Sequence, residues 1–135
     1  MYKNILIPVL LDDRRDTQQS YDVARALADE GAAFTVLHLM EPIPSYAATH
    51  LSAQILDNSR QEVERALEKS AEALPGASTV LASGHAGRFT VDYASTHDID
   101  CIVIASHVPN VGNLFLGSTA DRVVRHAKCA VHVIR

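Results

Sequence analysis

The sequence predicts an α/β fold built on a five-stranded parallel sheet with helices on both faces. Short runs rich in β-branched residues alternate along the chain with longer segments of helical periodicity, and this alternation is typical of strands joined by right-handed crossovers. The runs are almost wholly apolar, as expected of parallel strands buried on both faces. With 135 residues, of which 47% are hydrophobic, the chain is predicted to form a single domain over residues 1–135.

The N-terminal part is predicted to hold two strands, one helix and a long loop. The first strand covers 3–11, with Pro8 at its C-terminal end because proline fits poorly inside a central strand. A helix over 16–31 follows, and its last residue, Gly31, is a candidate C-cap. The second strand covers 33–40. The segment 41–50 contains two prolines and is predicted to be a loop, long enough to serve as a lid or as the wall of a binding site.

The rest of the chain repeats the alternation of helix and strand. It is predicted to contain a helix over 51–74, a strand over 78–83, a helix over 89–97, a strand over 101–105, a helix over 117–127 and a strand over 130–134. Pro75 and Gly76 end the long helix. Its buried face is predicted to consist of Val63, Ala66, Leu67, Ala71 and Leu74. The charged residues of the same helix recur at i, i+4 spacing and are expected to form a solvated face.

Composition and charge narrow the classes of function. The formal net charge is −4, which disfavours a nucleic-acid-binding module but leaves room for a local phosphate site. Cys101 and Cys129 lie in apolar runs without metal-ligand spacing. They are expected to be reduced, buried residues of a cytosolic protein, with a disulfide or a catalytic thiol as the alternative. Because the sequence shows neither a secretory signal nor a long apolar run, a cytoplasmic location without membrane contact is expected.

In a sheet of this kind, ligands bind outside the carboxyl ends of the strands. That rule selects the loop after Leu11, the loop after Met40, the turn 84–87 and the segment 106–117. The last of these leads into a helix that starts with Gly117, Ser118 and Thr119, and free backbone N–H groups at a helix start attract anions. The alternative is that Ser118 or Thr119 caps the helix, with Asp121 completing a variant capping box.

Other motifs for catalysis or metal binding are weak. The segment matches neither a P-loop nor the dinucleotide fingerprint. None of the seven histidines pairs with another at i, i+4 or H-x-H spacing, so no metal is expected. Ser118 and His107 could form a nucleophile–base pair, but no third group orients the histidine and no G-x-S-x-G elbow is present, which argues against hydrolase chemistry.

Three stretches resemble the universal stress protein family: KNILIPV, VLHLMEP and IVIASHVPNVGNLFLGSTADRVVRHAKCAVHVIR. The resemblance extends over essentially the whole length of the chain. The resemblance implies a doubly wound sheet with strand order 3-2-1-4-5 and a homodimer formed through the last strand, Ala130–Ile134. Many members of the family bind ATP or a related adenine nucleotide, and the ASHxP loop at 105–109 is similar to that of a branch of small bacterial members.

The resemblance also implies a set of nucleotide-binding residues. An adenine is expected near Pro8, Val9, Met40 and Gly84, held mainly by backbone groups. Ribose and phosphates are expected near Ser106, His107, Gly117, Ser118 and Thr119. Arg88 or Arg122 could approach a phosphate, and a solvated surface position is the alternative for each.

Several positions depart from the nucleotide-binding pattern of the family, which runs G-x-x-G, nine residues and G-[ST]. Ala105 and Val108 stand where the two glycines are expected, and the loop is one residue shorter. Leu10 stands where many members have an aspartate, which leaves Asp12 as the candidate replacement at the ribose.

Three hypotheses about function follow from the resemblance. The chain binds ATP, with Mg²⁺, or AMP, and acts as a binding module or switch in the stress response. Alternatively, it binds no nucleotide and acts through its dimer and partner surfaces. A third possibility is slow ATP hydrolysis or self-modification at the same site.

Overall fold

The fold was analysed in a computed structural model that describes residues 1–11, 14–40, 42, 44–106 and 116–135. Along the chain the elements are β1 (Tyr2–Pro8), α1 (Arg14–Leu27), β2 (Ala28–Met40), α2 (Ser45–Ala48), α3 (Ala53–Ala71), β3 (Ser78–Ser83), α4 (Ala86–Thr96), β4 (Cys101–Ala105), α5 (Ser118–His126) and β5 (Ala130–Ile134).

The sheet has the order β3-β2-β1-β4-β5, and every neighbouring pair is parallel. This confirms the predicted fold class and strand order. From the central strand β1 the chain winds first toward β3 on one side and then toward β5 on the other. The winding direction therefore reverses between β1 and β4, which opens a crevice at the carboxyl edge of the sheet.

Apolar side chains fill both faces of the sheet. Along β1, Ile5 and Ile7 pack on one side with Tyr21 of α1 and Leu67 of α3. Leu6 packs on the other side with residues of α4 and α5, because successive side chains of a strand point to opposite faces. All three β1 residues are fully buried, and this core fixes the ends of the strands from which the site is built.

The predicted boundary between the first helix and the second strand was wrong. The helix ends at Leu27 and β2 starts at Ala28. The pairing of β1 with β2 is irregular, since Tyr2 aligns with Ala28 and Asn4 with Ala33. Gly31 has φ of +77° within this irregular stretch. This left-handed conformation lets β2 carry extra residues relative to β1, as in a β-bulge. Gly31 is therefore not the helix C-cap that was predicted.

The long helix α3 is shorter than predicted at both ends. It starts after Ser52, whose hydroxyl accepts a hydrogen bond from the Ile55 N–H at 3.1 Å. It ends at Ala71, before the predicted Pro75–Gly76 stop. Of the predicted buried face, Leu67, Ala71 and Leu74 are buried, whereas Val63 is half-buried and Ala66 is exposed. These two residues face a cleft instead of the sheet.

Other boundaries differ by a few residues. The first strand ends at Pro8, as the proline predicts, and not at Leu11. The predicted loop 41–50 includes the single-turn helix α2. Helix α4 starts at Ala86, earlier than predicted, because the His85 ring caps it. The ranges of β3, β4 and β5 agree with the prediction.

Candidate functional site

A cleft of about 990 Å³ lies at the carboxyl edge of the sheet. Its walls come from the residues that follow β1, the end of β2 with Pro42, the turn 84–87 and the start of α5, together with α3. The residues that line it are Leu10, Leu11, His38, Leu39, Met40, Pro42, Glu62, Val63, Ala66, Gly84, His85, Ala86, Ser118 and Thr119. The fold thus brings together Met40, Gly84, Ser118 and Thr119 from the predicted site.

The start of α5 forms the polar end of this cleft. Gly117 is the N-cap, with φ −62° and ψ 157°, and no side chain makes a cap hydrogen bond. Ser118 is already the first helical residue, so the predicted capping role of Ser118 or Thr119 was wrong. The Asp121 carboxylate is taken up by Arg125, whose Nε lies 3.0 Å from both of its oxygens. The hydroxyls of Ser118 and Thr119 are therefore left beside backbone N–H groups that no side chain caps.

The end of β1 is held tightly by β2. The Val9 N–H donates to the Leu37 carbonyl at 2.8 Å. The Val9 carbonyl accepts from Nδ1 of His38 at 2.8 Å. Because a carbonyl can only accept, Nδ1 of His38 carries the proton, and Nε2 of the neutral ring is an acceptor. Both backbone groups of Val9 thus have partners within the protein, and the His38 side chain forms part of the cleft wall.

The turn before α4 adds a second histidine. Gly84 has φ of +138°, a conformation that L side chains rarely adopt, and its N–H donates to the Met40 carbonyl at 3.3 Å. His85 caps α4, since its Nδ1 accepts from the Arg88 N–H at 3.1 Å. In the neutral ring the proton is therefore on Nε2. The cleft wall thus holds one imidazole nitrogen that accepts, on His38, and one that donates, on His85.

Other predicted site residues lie away from the cleft lining. Ser106 is buried, and its hydroxyl donates to the Ile134 carbonyl at 3.1 Å while its N–H donates to the same carbonyl at 2.9 Å. It therefore ties the end of β4 to β5. Val9 and Gly117 are next in sequence to the lining residues Leu10 and Ser118, Pro8 lies two residues before Leu10, and none of the three lines the cleft. Asp12 and His107 lie outside the described residues.

Sequence reasoning missed the side chains that β2 and α3 add to the cleft, among them His38, Glu62 and Ala66, and it selected the turn 84–87 without singling out His85. His38 lies in an apolar strand, and only its place near the carboxyl end of β2 could have singled it out. Glu62 and Ala66 belong to α3, where the helical pattern was read as one buried and one solvated face. Helical periodicity shows which residues share a face but not what that face contacts.

The cysteines stand apart from this site. Cys101 is buried and Cys129 is half-buried, and both are free thiols. Burial raises the pKa of Cys101 from 9.0 to about 11, with smaller contributions from Cys129 and Asp100. Burial likewise raises the pKa of Cys129. Since the thiolate is the reactive form, both thiols are poorly suited to nucleophilic catalysis.

Among the described residues, every helix is too short or too polar to span a bilayer. The same part of the chain holds no group of three or more His, Cys, Asp or Glu side chains that could bind a metal ion.

Known proteins with similar sequences and structures belong to one family. The Thermus aquaticus "Universal stress protein in QAH/OAS sulfhydrylase 3'region" is 31% identical to the chain, and the alignment covers 100% of both. The universal stress protein UspA from Lactobacillus plantarum is 29% identical, with a TM-score of 0.71 over 99% of this chain and 98% of that one. The universal stress protein from Archaeoglobus fulgidus in complex with dAMP has a TM-score of 0.64 at 18% identity, over 99% of this chain and 98% of that one.

At 18% identity, the Archaeoglobus fulgidus structure supports only the assignment of the fold. The family is shown by the sequence itself, because the model of the universal stress protein family matches residues 1–135. The chain therefore belongs to the universal stress protein family.

Proposed function

We propose that this universal stress protein binds an adenine nucleotide, ATP or AMP, in the cleft and acts as a binding module or switch in the stress response. The observation that carries the proposal is the start of α5, where no side chain caps the helix and where Ser118 and Thr119 line the cleft. A phosphate placed there would accept hydrogen bonds from backbone N–H groups and hydroxyls, and the positive end of the helix dipole favours its charge.

The rest of the cleft suits the other parts of a nucleotide. Its volume of about 990 Å³ is at the upper end of the usual range for small-molecule sites. Leu39, Met40 and Val63 provide an apolar wall against which a flat base can pack. Glu62 lies on the α3 side, and its charge disfavours phosphates there. This polarity favours a base near β2 and α3 and phosphates near α5.

The family comparison supports the same ligand class. The Archaeoglobus fulgidus protein with this fold is described in complex with dAMP, which contains an adenine and a single phosphate. ATP would bring Mg²⁺ with its phosphates. Since the chain also carries two free cysteines, as is usual for proteins in reducing compartments, a cytoplasmic location is part of this proposal.

One experiment tests nucleotide binding directly. The protein is purified natively and denatured, and the supernatant is analysed for ATP, ADP and AMP. Calorimetric titration with ATP plus Mg²⁺ and with AMP follows. Released nucleotide, or a measurable heat of binding, is the expected result. If neither appears and the melting temperature does not move, the proposal fails.

A substitution at Gly117 tests the location of the site. The backbone of Gly117 has φ −62° and ψ 157°, which any L residue can adopt, so Gly117→Val should fold while its side chain blocks the approach to α5. Val124→Ala, on an exposed position of the same helix, is the control. Nucleotide binding that survives Gly117→Val would mean that the phosphates bind elsewhere.

The proposal includes a homodimer through β5. This strand is at one edge of the sheet and pairs only with β4 among the described strands. Its apolar residues Val131, Val133 and Ile134 are half-buried, and edges of this kind are usually covered. We expect sedimentation at the mass of a dimer, shifting toward the monomer in His132→Asp, which puts a charge on the exposed centre of β5. An unchanged dimer in this variant would place the interface elsewhere.

A second candidate function is favoured by one observation at the cleft. Leu10 is 65% exposed and lines the cleft wall at the position where the family resemblance implies an aspartate. An exposed apolar group there suits contact with a partner better than contact with a ribose. In this alternative the protein binds no nucleotide and acts through its dimer and partner surfaces, and the denaturation experiment above distinguishes the two.

A further inference from the structure

Helix α5 carries two arginines in different surroundings. Nε of Arg125 lies 3.0 Å from both oxygens of Asp121, so its charge is balanced. Arg122 has no ion pair or hydrogen bond to any of the residues that the structure describes. The helix thus holds one neutralised cation and, within the described part of the chain, one cation that is available to a ligand.

The aliphatic part of Arg122 is fixed against α4. A Cβ added at Gly87 would lie 2.9 Å from Cδ of Arg122 and 3.0 Å from its Cβ, so the arginine stem runs directly over the Gly87 backbone. Gly87 is buried and follows Ala86, which lines the cleft. Arginine commonly packs its stem in this way and leaves its guanidinium free.

The geometry of α5 directs the guanidinium toward the cleft. Arg122 comes four residues after Ser118 and therefore shares its helix face. Side chains on a helix lean toward its N-terminus, where Ser118 lines the cleft. Arg122 is not itself part of the cleft lining. Its head group thus lies beside the cleft, between the starts of α4 and α5.

From this arrangement we infer that Arg122 binds the outer phosphates of a nucleoside polyphosphate and makes the cleft selective for ATP and ADP over AMP. This inference depends on the nucleotide-binding function proposed above. The first phosphate binds at Ser118 and Thr119, and the following phosphates extend to the guanidinium. A guanidinium forms strong, paired hydrogen bonds with phosphate oxygens, so its contribution is confined to ligands long enough to reach it.

The test compares Arg122→Gln with Arg125→Gln, a matched loss of charge on the same helix. Dissociation constants for ATP, ADP, AMP and adenosine are measured by calorimetry at one salt concentration. We expect Arg122→Gln to weaken ATP and ADP about tenfold, the effect of losing one charge-assisted contact, and to leave AMP and adenosine within about twofold. Arg125→Gln should change none of the four by more than about twofold.

The ratio of AMP to ATP dissociation constants is taken within each variant, so a general loss of stability cancels. Arg122→Lys provides a second measurement, since it retains the charge without the paired geometry and should give a ratio between those of the wild type and Arg122→Gln. An unchanged ratio in Arg122→Gln, or an equal loss in Arg125→Gln, would overturn the role of Arg122 while leaving nucleotide binding intact. Failure of the wild-type protein to bind any nucleotide would instead overturn the proposed function itself.

Discussion

Gly87 of α4 packs directly against the side chain of Arg122 of α5, and its substitution by alanine tests this contact. The added Cβ would lie 2.9 Å from Cδ, 3.0 Å from Cβ and 3.3 Å from Cγ of Arg122. The long end of the arginine can rotate away, but its own Cβ cannot. The helices must therefore separate slightly, or α5 must shift along its axis.

The expected loss of stability follows from two opposing effects. Overpacking of a well-filled contact costs about 1–3 kcal/mol. Replacing glycine by alanine in a helix returns up to about 1 kcal/mol, mainly by restricting the unfolded chain. We therefore expect a net loss of about 1–2 kcal/mol in the free energy of unfolding. With an unfolding entropy of about 2.1 cal/mol/K per residue, this lowers the melting temperature by about 4–7 °C.

Urea denaturation and thermal melts of four proteins measure this loss: wild type, Gly87→Ala, Arg122→Ala and the double variant. Because Arg122→Ala removes Cγ and Cδ, Gly87→Ala should cost at least about 0.5 kcal/mol less in that background. A Gly87→Ala protein as stable as the wild type, or a cost that is the same in both backgrounds, would refute the close contact between Gly87 and Arg122.

Three further predictions address the core, a helix cap and a thiol. Leu67→Ala removes a side chain that is 1% exposed and should lower the free energy of unfolding, measured by urea denaturation, by about 2–5 kcal/mol. Ile55→Ala, at a side chain that is 54% exposed, should lower it by less than about 1 kcal/mol. Equal losses would contradict the described packing of α3. Ser52→Ala removes the hydrogen bond to Ile55 at 3.1 Å and should cost about 1 kcal/mol, with Ser52→Asp as the variant that restores it; failure of the aspartate to restore stability would argue against the cap. Because burial raises the pKa of Cys101 from 9.0 to about 11, its contribution to stability is complete below pH 9 and is lost as the pH rises toward 11; Cys101→Ala should flatten this decline, and an identical pH profile would show that another group causes it.

The fold could be predicted because its strands are apolar runs bounded by strong turn signals. Hydrophobic periodicity and turn signals are local properties of the sequence. The start of α5 was also predictable, since Gly117, Ser118 and Thr119 follow a buried strand at the edge where parallel sheets bind ligands. The resemblance to the family supplied the strand order, which local patterns do not contain.

The parts that could not be predicted depend on contacts between distant residues. Gly31 has the residue type of a helix cap, but its conformation serves the irregular pairing with β1. From the sequence, the hydroxyl of Ser106 could face either the cleft or β5. In the structure it faces β5, because it donates a hydrogen bond to the Ile134 carbonyl. His38 is drawn into the cleft wall by its bond to the Val9 carbonyl, a partner 29 residues earlier in the chain that no short motif reveals.

The two histidines of the cleft wall have ring orientations that the backbone fixes. Nδ1 of His38 donates to the Val9 carbonyl, and Nδ1 of His85 accepts from the Arg88 N–H. Turning either ring over by 180° would put a carbon in the place of that nitrogen and break the hydrogen bond. Both rings are therefore preorganised before any ligand enters, one at the end of β1 and the other at the first turn of α4.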